Sequence, residues 1–403
     1  MNAVGIDVSK GKSMVTILRP FGEIVPSPFE IKHTSSDILS LIKLIHSIEG
    51  ESRIVMEHTG HYYEVLAQQF SAAGLFVSAV NPKLVKNFNN DSLRKVKSDK
   101  ADSIKIARYA LDKWQNLKPY SIVDELRTQL KAMNRQFHFY VKQKTAMKNN
   151  LINLIDQTYP NANTYFNSPP RSDGSQKWVD FVYTYWHVDC VRKMSLNSFV
   201  KHYQNWCKQK KYIFNKSKAE EIYTQSTELV PVFPKNEITK RIIRQAIAQL
   251  NSTSATVETI RILMNETASK LPEYPIVMQF KGIGPSFGPQ LMAESGDITR
   301  FTHKGALTAF AGVDPGVNES GSYAQKSVPT SKRGSSNLRK TLFQVMDVLI
   351  KTMPQDDPVY QFMDRKRAQG KPYYVYMTAG ANKFLRIYYG RVKEYLCILS
   401  ESS

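Results

Sequence analysis

The 403-residue chain is short of cysteine, short of acid relative to base, and lacks long apolar runs. Its three cysteines, Cys190, Cys207 and Cys397, are odd in number and fit no zinc or disulfide spacing. A structural metal or a stapled scaffold is therefore disfavoured, and the thiols read as buried or idle. No window approaches 18 uninterrupted apolar residues, and the opening MNAVGIDVSKGK carries an acid where a secretory signal would carry its apolar stretch. The expected location is the cytosol. No amphipathic basic helix of the membrane-surface type is found, and no internal repeat.

What is there is positive charge. Lys and Arg number 55 against 35 Asp and Glu, a formal net charge of +20. With 42% hydrophobic residues the chain can bury enough apolar surface to fold, so the surplus is not that of a disordered basic tail. A surplus of this size on a folding chain points to a polyanion, with nucleic acid first, through phosphate neutralisation and counterion release. A merely basic soluble protein is the bland alternative.

The first 120 or so residues alternate between strand and helix patterns. Apolar runs at Ala3–Val8, Ser13–Leu18 and Glu23–Ile31, separated by turn-forming stretches, predict three antiparallel strands. From Ser35 the period changes: Ile38, Leu41, Ile42, Ile45 and Ile48 predict a helix capped by Ser35 or Ser36 and stopped at Gly50. A strand at Arg53–Glu57, a helix over Tyr62–Ala73 and a strand at Leu75–Val80 follow. After a basic loop, a helix over Asp99–Asp112 completes the order βββαβαβα.

Two long helices are predicted next, over Asp124–Thr158 and from Ile238 to Lys270. The apolar stripe of the first (Leu126, Leu130, Met133, Phe137 and onward) calls for a partner helix, which supports self-association. Between them lies an insertion with short helices, whose Tyr183, Tyr185, Trp186, Lys208, Lys210, Lys211 and Tyr212 suit either base stacking or a small packed subdomain. In the α-rich last third, Gly282 and Gly284 of Phe280-Lys-Gly-Ile-Gly-Pro285 allow a helix-hairpin-helix-like turn whose N–H groups can face a phosphate. A purely structural turn is the alternative. The expected domains are 1–118, 119–272 with the insertion at about 160–235, and 273–403.

Four acids stand out. Asp7 interrupts an apolar strand, and a carboxylate there is costly unless a cation neutralises it. Glu57 ends the fourth strand. Asp99 and Asp102, at i and i+3, can project from one helical face. In an RNase H-like sheet these positions converge into a hard, oxygen-rich site suited to one or two Mg²⁺ ions, which would activate a nucleophile and stabilise a leaving oxygen in phosphodiester transfer. The bland readings are an N-cap for Asp99, a first-turn acid for Asp102 and a surface residue for Glu57. An actin-like kinase also opens with a Gly-Ile-Asp strand but needs a second Asp-Gly-Gly-type loop, and none occurs downstream.

VGIDVSK at Val4–Lys10, VMEHTGHYYEVLA at Val55–Ala67, VNPKLVKNF at Val80–Phe88 and KSDKADSIKIARYA at Lys97–Ala110 resemble the N-terminal DEDD domain of IS110-family transposases. FKGIGPSFGPQLMAESGDITRF, ALTAFAGVDPGVNESG and KRGSSNLRKTLFQVM resemble that family's C-terminal domain, in the family's order. The resemblance implies a RuvC-like nuclease domain with Asp7, Glu57, Asp99 and Asp102 as the Mg²⁺-binding tetrad, a helical coiled-coil middle and an α-rich C-terminal domain. It implies a nucleophilic serine at the Ser-Gly after the Gly-x-x-Pro segment, here Ser320, with Ser322 as the other choice because Glu319 stands where the family often has a second serine. A covalent phosphoserine would allow cutting and rejoining without ATP. Because only Glu319 near Ser320 in sequence could activate it, the activating metal must come from the tetrad, by folding or from another subunit. The Asp of Gly312-Val-Asp-Pro-Gly316 resembles a resolvase strand motif but reads as a turn residue.

The resemblance also implies a structured non-coding RNA that pairs with donor and target DNA, and a homodimer that pairs into a tetramer on DNA in a prokaryotic cytosol, with no membrane partner. The basic inventory is compatible. Lys83, Lys86, Arg94, Lys95, Lys97 and Lys100 line the loop before the acid pair, and Lys332, Arg333 and Arg339 flank Gly334 and a helix start. Two other readings stay open: a structure-selective nuclease that uses water, and a non-catalytic nucleic-acid-binding protein.

Overall fold

Strand β1 (Asn2–Val8) is central to a five-stranded sheet. It pairs antiparallel with β2 (Lys12–Leu18), which pairs antiparallel with β3 (Phe29–Lys32). After helix α1 (Ser35–Ser47), β4 (Ser52–Glu57) lies parallel to β1 on its other side. After α2 (Tyr62–Ala72), β5 (Phe76–Val80) lies parallel to β4. A short α3 (Pro82–Asn87) occupies the start of the expected basic loop, and α4 (Asp99–Asp112) follows. The spatial order β3-β2-β1-β4-β5, with the first three strands antiparallel and the last two parallel to β1, is the RNase H-like (RuvC-like) topology.

The computed structural model describes every residue except 59, 61, 89–97, 121–124, 317–318, 321–322, 325–329, 331 and 402–403, and at 319–320 and 323–324 the backbone alone. The chain divides into two compact units, Met1–Val123 and Asp124–Ser403.

Each face of the sheet is buried. Val4, Ile6, Val15, Ile17, Ile54 and Met56 form one core with α1 and α2, while Ala3 and Val55 on the other face pack against Ile106, Tyr109 and Ala110 of α4. Strand alternation explains the split. Two sequence expectations shift. The third strand does not span Glu23–Ile31 but begins at Phe29, because Pro26 and Pro28 lack the N–H a ladder needs. The cap of α1 is Thr34, not Ser35 or Ser36: its Oγ1 accepts from the Asp37 N–H at 3.3 Å.

In the second unit, α5 (Glu125–Asp156) and α10 (Glu237–Ala268), each 32 residues, run antiparallel along one another. Leu130 shares a core with Ala268, Leu151 with Ile243, and between them Thr253 Oγ1 donates to Met147 Sδ at 3.1 Å. The stripe on α5 thus finds its partner helix within the same chain, which removes the stripe as grounds for self-association.

Between these two helices, α6 (Lys177–Thr184), α7 (Asp189–Arg192), α8 (Leu196–Gln209) and α9 (Lys216–Glu228) build a second core. Phe181 is its hub, with ring centroids within 6.5 Å of Tyr159, Tyr165, Phe166, Tyr185, Tyr203 and Trp206. Of the residues offered for base stacking, Tyr185 and Trp186 are buried here. Tyr212 is half-buried, donates its hydroxyl to Asp180 at 2.7 Å and lies under Arg171 and Lys177. Tyr183 is exposed, with Arg244 over its ring. The insertion is a packed subdomain.

The remainder packs α11 (Tyr274–Val277), α12 (Phe287–Ser295), α13 (Lys304–Ala311), a two-stranded hairpin of β6 (Glu319–Ser320) and β7 (Tyr323–Ala324), α14 (Ser336–Thr352), α15 (Pro358–Ala368) and α16 (Tyr373–Glu401). Arg127 and Glu273, both buried, form a two-point ion pair that ties α5 to the turn before α11. Cys190 is half-buried, Cys207 buried and Cys397 exposed, all as thiols. No helix among the described residues is long and apolar enough to cross a membrane.

Candidate active site

In the first unit, the parallel ladder pairs Ile6 with Met56, so Asp7 and Glu57, one step on, stand at the same level of neighbouring strands. Both have the parity of Ala3 and Val55, whose side chains pack under α4. Helix α4 can lie this close because position 5 is glycine: a β-carbon there would stand 2.4 Å from the Ala107 nitrogen and the Ser103 carbonyl oxygen. A buried hydrogen bond between the Thr16 and Ser103 hydroxyls, 2.8 Å, pins the same turn to β2.

One turn earlier, α4 carries Asp99 and Asp102. The cap of this helix is Ser98, whose Oγ accepts from the Ala101 N–H at 3.2 Å, so neither aspartate is occupied as the N-cap. Half-buried Asp7 feels both. Burial, then the charge of Asp102, then that of Asp99 push its carboxyl up to about 6. Glu57 is half-buried at the end of β4.

Burial first and neighbouring acids second disfavour the charge on Asp7, and the hard carboxylate oxygens fit a divalent cation by donor chemistry. Among the described residues, however, no three His, Cys, Asp or Glu side chains stand close enough together to hold an ion. The aspartates share a field rather than a single point.

Ser320 lies in the second unit. It ends β6, with Ser320 opposite Tyr323 and Glu319 opposite Ala324 in the hairpin. Ser322 is outside the described residues. The segment that carries Ser320 leaves α13 at Gly312 and re-enters the fold at Gly334, and these two glycines meet. A β-carbon on Gly334 would lie 2.0 Å from the Phe310 carbonyl oxygen and 2.6 Å from the Gly312 nitrogen. Pro315 and Thr330 form an antiparallel bridge just beyond, and the Ser335 N–H donates to the Phe310 carbonyl at 2.7 Å. Buried Glu294 locks the exit: it accepts from Ser335 Oγ at 2.9 Å and from Asn134 Nδ2 at 2.9 Å. Nothing in the sequence pattern singled out Glu294. Asp314 sits in a bend, as a turn residue.

The basic residues divide. Lys83 and Lys86 are exposed on α3, and Lys100 is exposed on α4, next to Asp99 in the chain. Arg94, Lys95 and Lys97 fall outside the described residues. Lys332 and Arg333 are exposed ahead of α14, where Ser335 Oγ caps by accepting from the Leu338 N–H. Arg339 is half-buried and donates from Nη1 to the Ala311 carbonyl at 3.0 Å. Gly282 takes a left-handed φ of +75° and packs against Leu349, while Gly284 faces open space. The preceding helix, α11, is only four residues long, so the hairpin's first arm is a single turn.

An RNase H-like sheet with aspartates on β1 and on the helix that crosses it is an arrangement compatible with phosphodiester chemistry. Residues 4–160 match the IS110 DEDD transposase family, described as "Transposase", and residues 274–361 match the "Transposase IS116/IS110/IS902 family". The chain belongs to the IS110 family of transposases, enzymes that cut and rejoin DNA. No curated protein matches it significantly. Among solved structures it is similar to Thermus thermophilus RuvC, alone (14% identity, 30% of this chain, 100% of that one, TM-score 0.24) and in complex with a Holliday junction substrate (13%, 30%, 99%, 0.24). The fold assignment stands on the strand order given above. Membership in a DEDD transposase family implies a divalent metal.

Proposed function

We propose that this transposase cuts and rejoins DNA through a phosphoserine on Ser320, with Asp7, Glu57, Asp99 and Asp102 as the ligands of Mg²⁺. The observation that carries the reading is the Asp7 carboxyl, pushed up to about 6 beneath the two acids of α4 in a chain that matches the family at both ends. A carboxylate whose charge is disfavoured by burial and by neighbouring acids is one a cation stabilises. Bound there, Mg²⁺ would supply Lewis acidity toward a phosphate oxygen and lower the cost of deprotonating a nucleophile.

In the cutting step the Ser320 oxygen attacks phosphorus, a new P–O bond forms to serine, and the P–O bond to a sugar oxygen breaks. The serine proton is lost to solvent or a carboxylate, and the departing sugar oxygen is protonated. Rejoining reverses this on a second strand's sugar hydroxyl, so the phosphodiester count is conserved and no nucleotide is consumed. Lys83, Lys86, Lys100 and, with their neighbours, Arg94, Lys95 and Lys97 would hold the strand's phosphates near the acids, while Lys332, Arg333 and Arg339 would hold them near the serine. Gly282 and Gly284 would present backbone N–H groups to a further phosphate. A structured guide RNA selecting donor and target DNA, and a homodimer that pairs into a tetramer, complete the proposal, acting where DNA is kept in a prokaryotic cytosol. The domain limits 1–118, 119–272 and 273–403 belong to the same reading.

The test is a strand-transfer assay on donor and target DNA with the co-purified RNA, together with mass spectrometry of tryptic peptides for a nucleotide adduct. Ser320→Ala should abolish both joined product and adduct. Joined DNA from Ser320→Ala would discard the nucleophile, cleavage without joining would point to a water-using nuclease, and full transfer by Asp102→Asn would discard the tetrad.

A further inference from the structure

A cavity of about 940 Å³ opens in the second unit between α14, α15 and α16. One wall is made by the chain on either side of the Ser320 hairpin, including Pro315, Thr330 and Lys332. The floor is apolar and aromatic: Phe343 and Phe362 are half-buried in it, and exposed Tyr374 stands at its mouth. Around these sit five cations, Lys332, Arg339, Lys366, Lys383 and Arg386, against one acid, Asp314, among the described lining. Lys366 and Lys383 are held over the Phe362 ring, 5.0 and 4.7 Å from its centroid.

The combination is selective. A groove that only tracks a phosphate backbone needs cations but no aromatic floor, and a site for an apolar ligand needs the floor but not five cations. Aromatic faces beside a basic rim suit an unstacked nucleotide, with its base on a ring and its phosphates at the rim. The volume lies within the roughly 300–1,000 Å³ of small-ligand sites, enough for a nucleotide but not for a duplex. Duplex DNA would also keep its bases stacked on one another and leave Phe343 and Tyr374 uncovered.

We infer that this cavity takes an unstacked nucleotide of the DNA strand that Ser320 attacks, so that one displaced base fixes the register of the scissile phosphate. The choice of DNA rests on the phosphoserine reading, since the cavity shares its wall with the loop that bears Ser320. Phe343 and Tyr374 would stack the base, and Lys366 and Lys383, seated over Phe362, would bind the phosphates with Arg386 on the open side.

The experiment is photocrosslinking of the full-length protein to a single-stranded DNA decamer containing one 5-iododeoxyuridine, with the crosslinked residue mapped by mass spectrometry. Crosslinks should fall on Phe343 or Tyr374, and the double substitution Lys383→Glu with Arg386→Glu should reduce them at least tenfold at unchanged melting temperature. Should the double variant lose its fold, Lys383→Gln with Arg386→Gln replaces it, with a reduction of at least threefold expected. Crosslinks at neither aromatic, crosslinks undiminished in the variants, or a 5-iodouridine RNA decamer crosslinking there as strongly as DNA would each overturn the inference. The same map made with Ser320→Ala separates the two claims. The phosphoserine reading fails on retained strand transfer, whereas the nucleotide site fails on the crosslink positions alone.

Discussion

Gly5 on β1 and Ala107 on α4 are in backbone contact, close enough that a β-carbon on Gly5 would sit 2.4 Å from the Ala107 nitrogen. No rotamer change relieves that clash, because the opposing atoms are main chain. Gly5→Ala must therefore lift α4 from the sheet and carry Asp99 and Asp102 away from Asp7. The expected cost is about 3 kcal/mol, at the upper end for overpacking a tight interface. Hydrogen exchange of the 2–8 and 99–112 peptides should accelerate together, and strand transfer should be lost. Unchanged exchange in both segments would show that the helix does not need the contact.

The raised Asp7 carboxyl makes a signed prediction. The folded protein holds this proton up to about pH 6 while the unfolded chain releases it near 3.8, so without metal the unit loses stability as pH rises through that window. Asp7→Asn, which carries no charge to repel, should match the parent near pH 4 and exceed it at pH 7. The gain should be ~1–2 kcal/mol once solvent screening at a half-exposed carboxylate is allowed for. Exchange rates of β1 amides in EDTA measure it. Magnesium should stabilise the parent at pH 7 and not the variant, and a variant less stable than the parent at pH 7 would contradict the penalty that burial and the neighbouring acids place on the Asp7 charge.

How much of this was legible in advance differs by element. The five strands and helices α1, α2 and α4 were, because alternation and the 3.6-residue period are local signals, whereas α3 falls in what reads as a basic loop and the cap of α4 is Ser98 rather than Asp99. The start of the third strand was missed where two prolines interrupt the pattern. The intramolecular partner of α5 was not legible, since an apolar stripe states that a partner exists but not which chain supplies it. The cavity beside the Ser320 hairpin was hidden for a similar reason. Lys332 and Arg339 were visible next to a helix start, but Phe362, Lys383 and Arg386 reach them only through the packing of α15 and α16. Gly334 was noticed only as a neighbour of basic residues, whereas its role is to let two chain segments touch.

All four tryptophans, Trp114, Trp178, Trp186 and Trp206, are buried, so none offers a face to a base. Tryptophan fluorescence should be shielded from acrylamide and insensitive to single-stranded DNA or RNA at saturation. The aromatic insertion instead acts as a folding unit. Phe181→Ala, which removes the ring at its hub, should cost about 3–5 kcal/mol and expose the 177–228 helices to exchange. Quenching by an oligonucleotide in the parent protein would restore a stacking role to this region.

The neck of the Ser320 segment sets the last expectation. Gly312 has a left-handed φ of +67°, and a β-carbon on it would press on Arg339 and on the Gly334 nitrogen, while one on Gly334 would overlap the Phe310 carbonyl. Both entry and exit are therefore fixed by main-chain packing, and Glu294 adds the Ser335 hydrogen bond. Gly334→Ala should force the two ends apart, with loss of the hydrogen bond from the Ser335 N–H to Phe310 and faster exchange in α13 and the first turn of α14. If Ser320 is the nucleophile, strand transfer should fall with it by at least a hundredfold, while Mg²⁺-dependent stabilisation of the first unit stays at the parent value. Retention of strand transfer beside clear opening of the neck would mean that the serine is positioned by its substrate rather than by this closure.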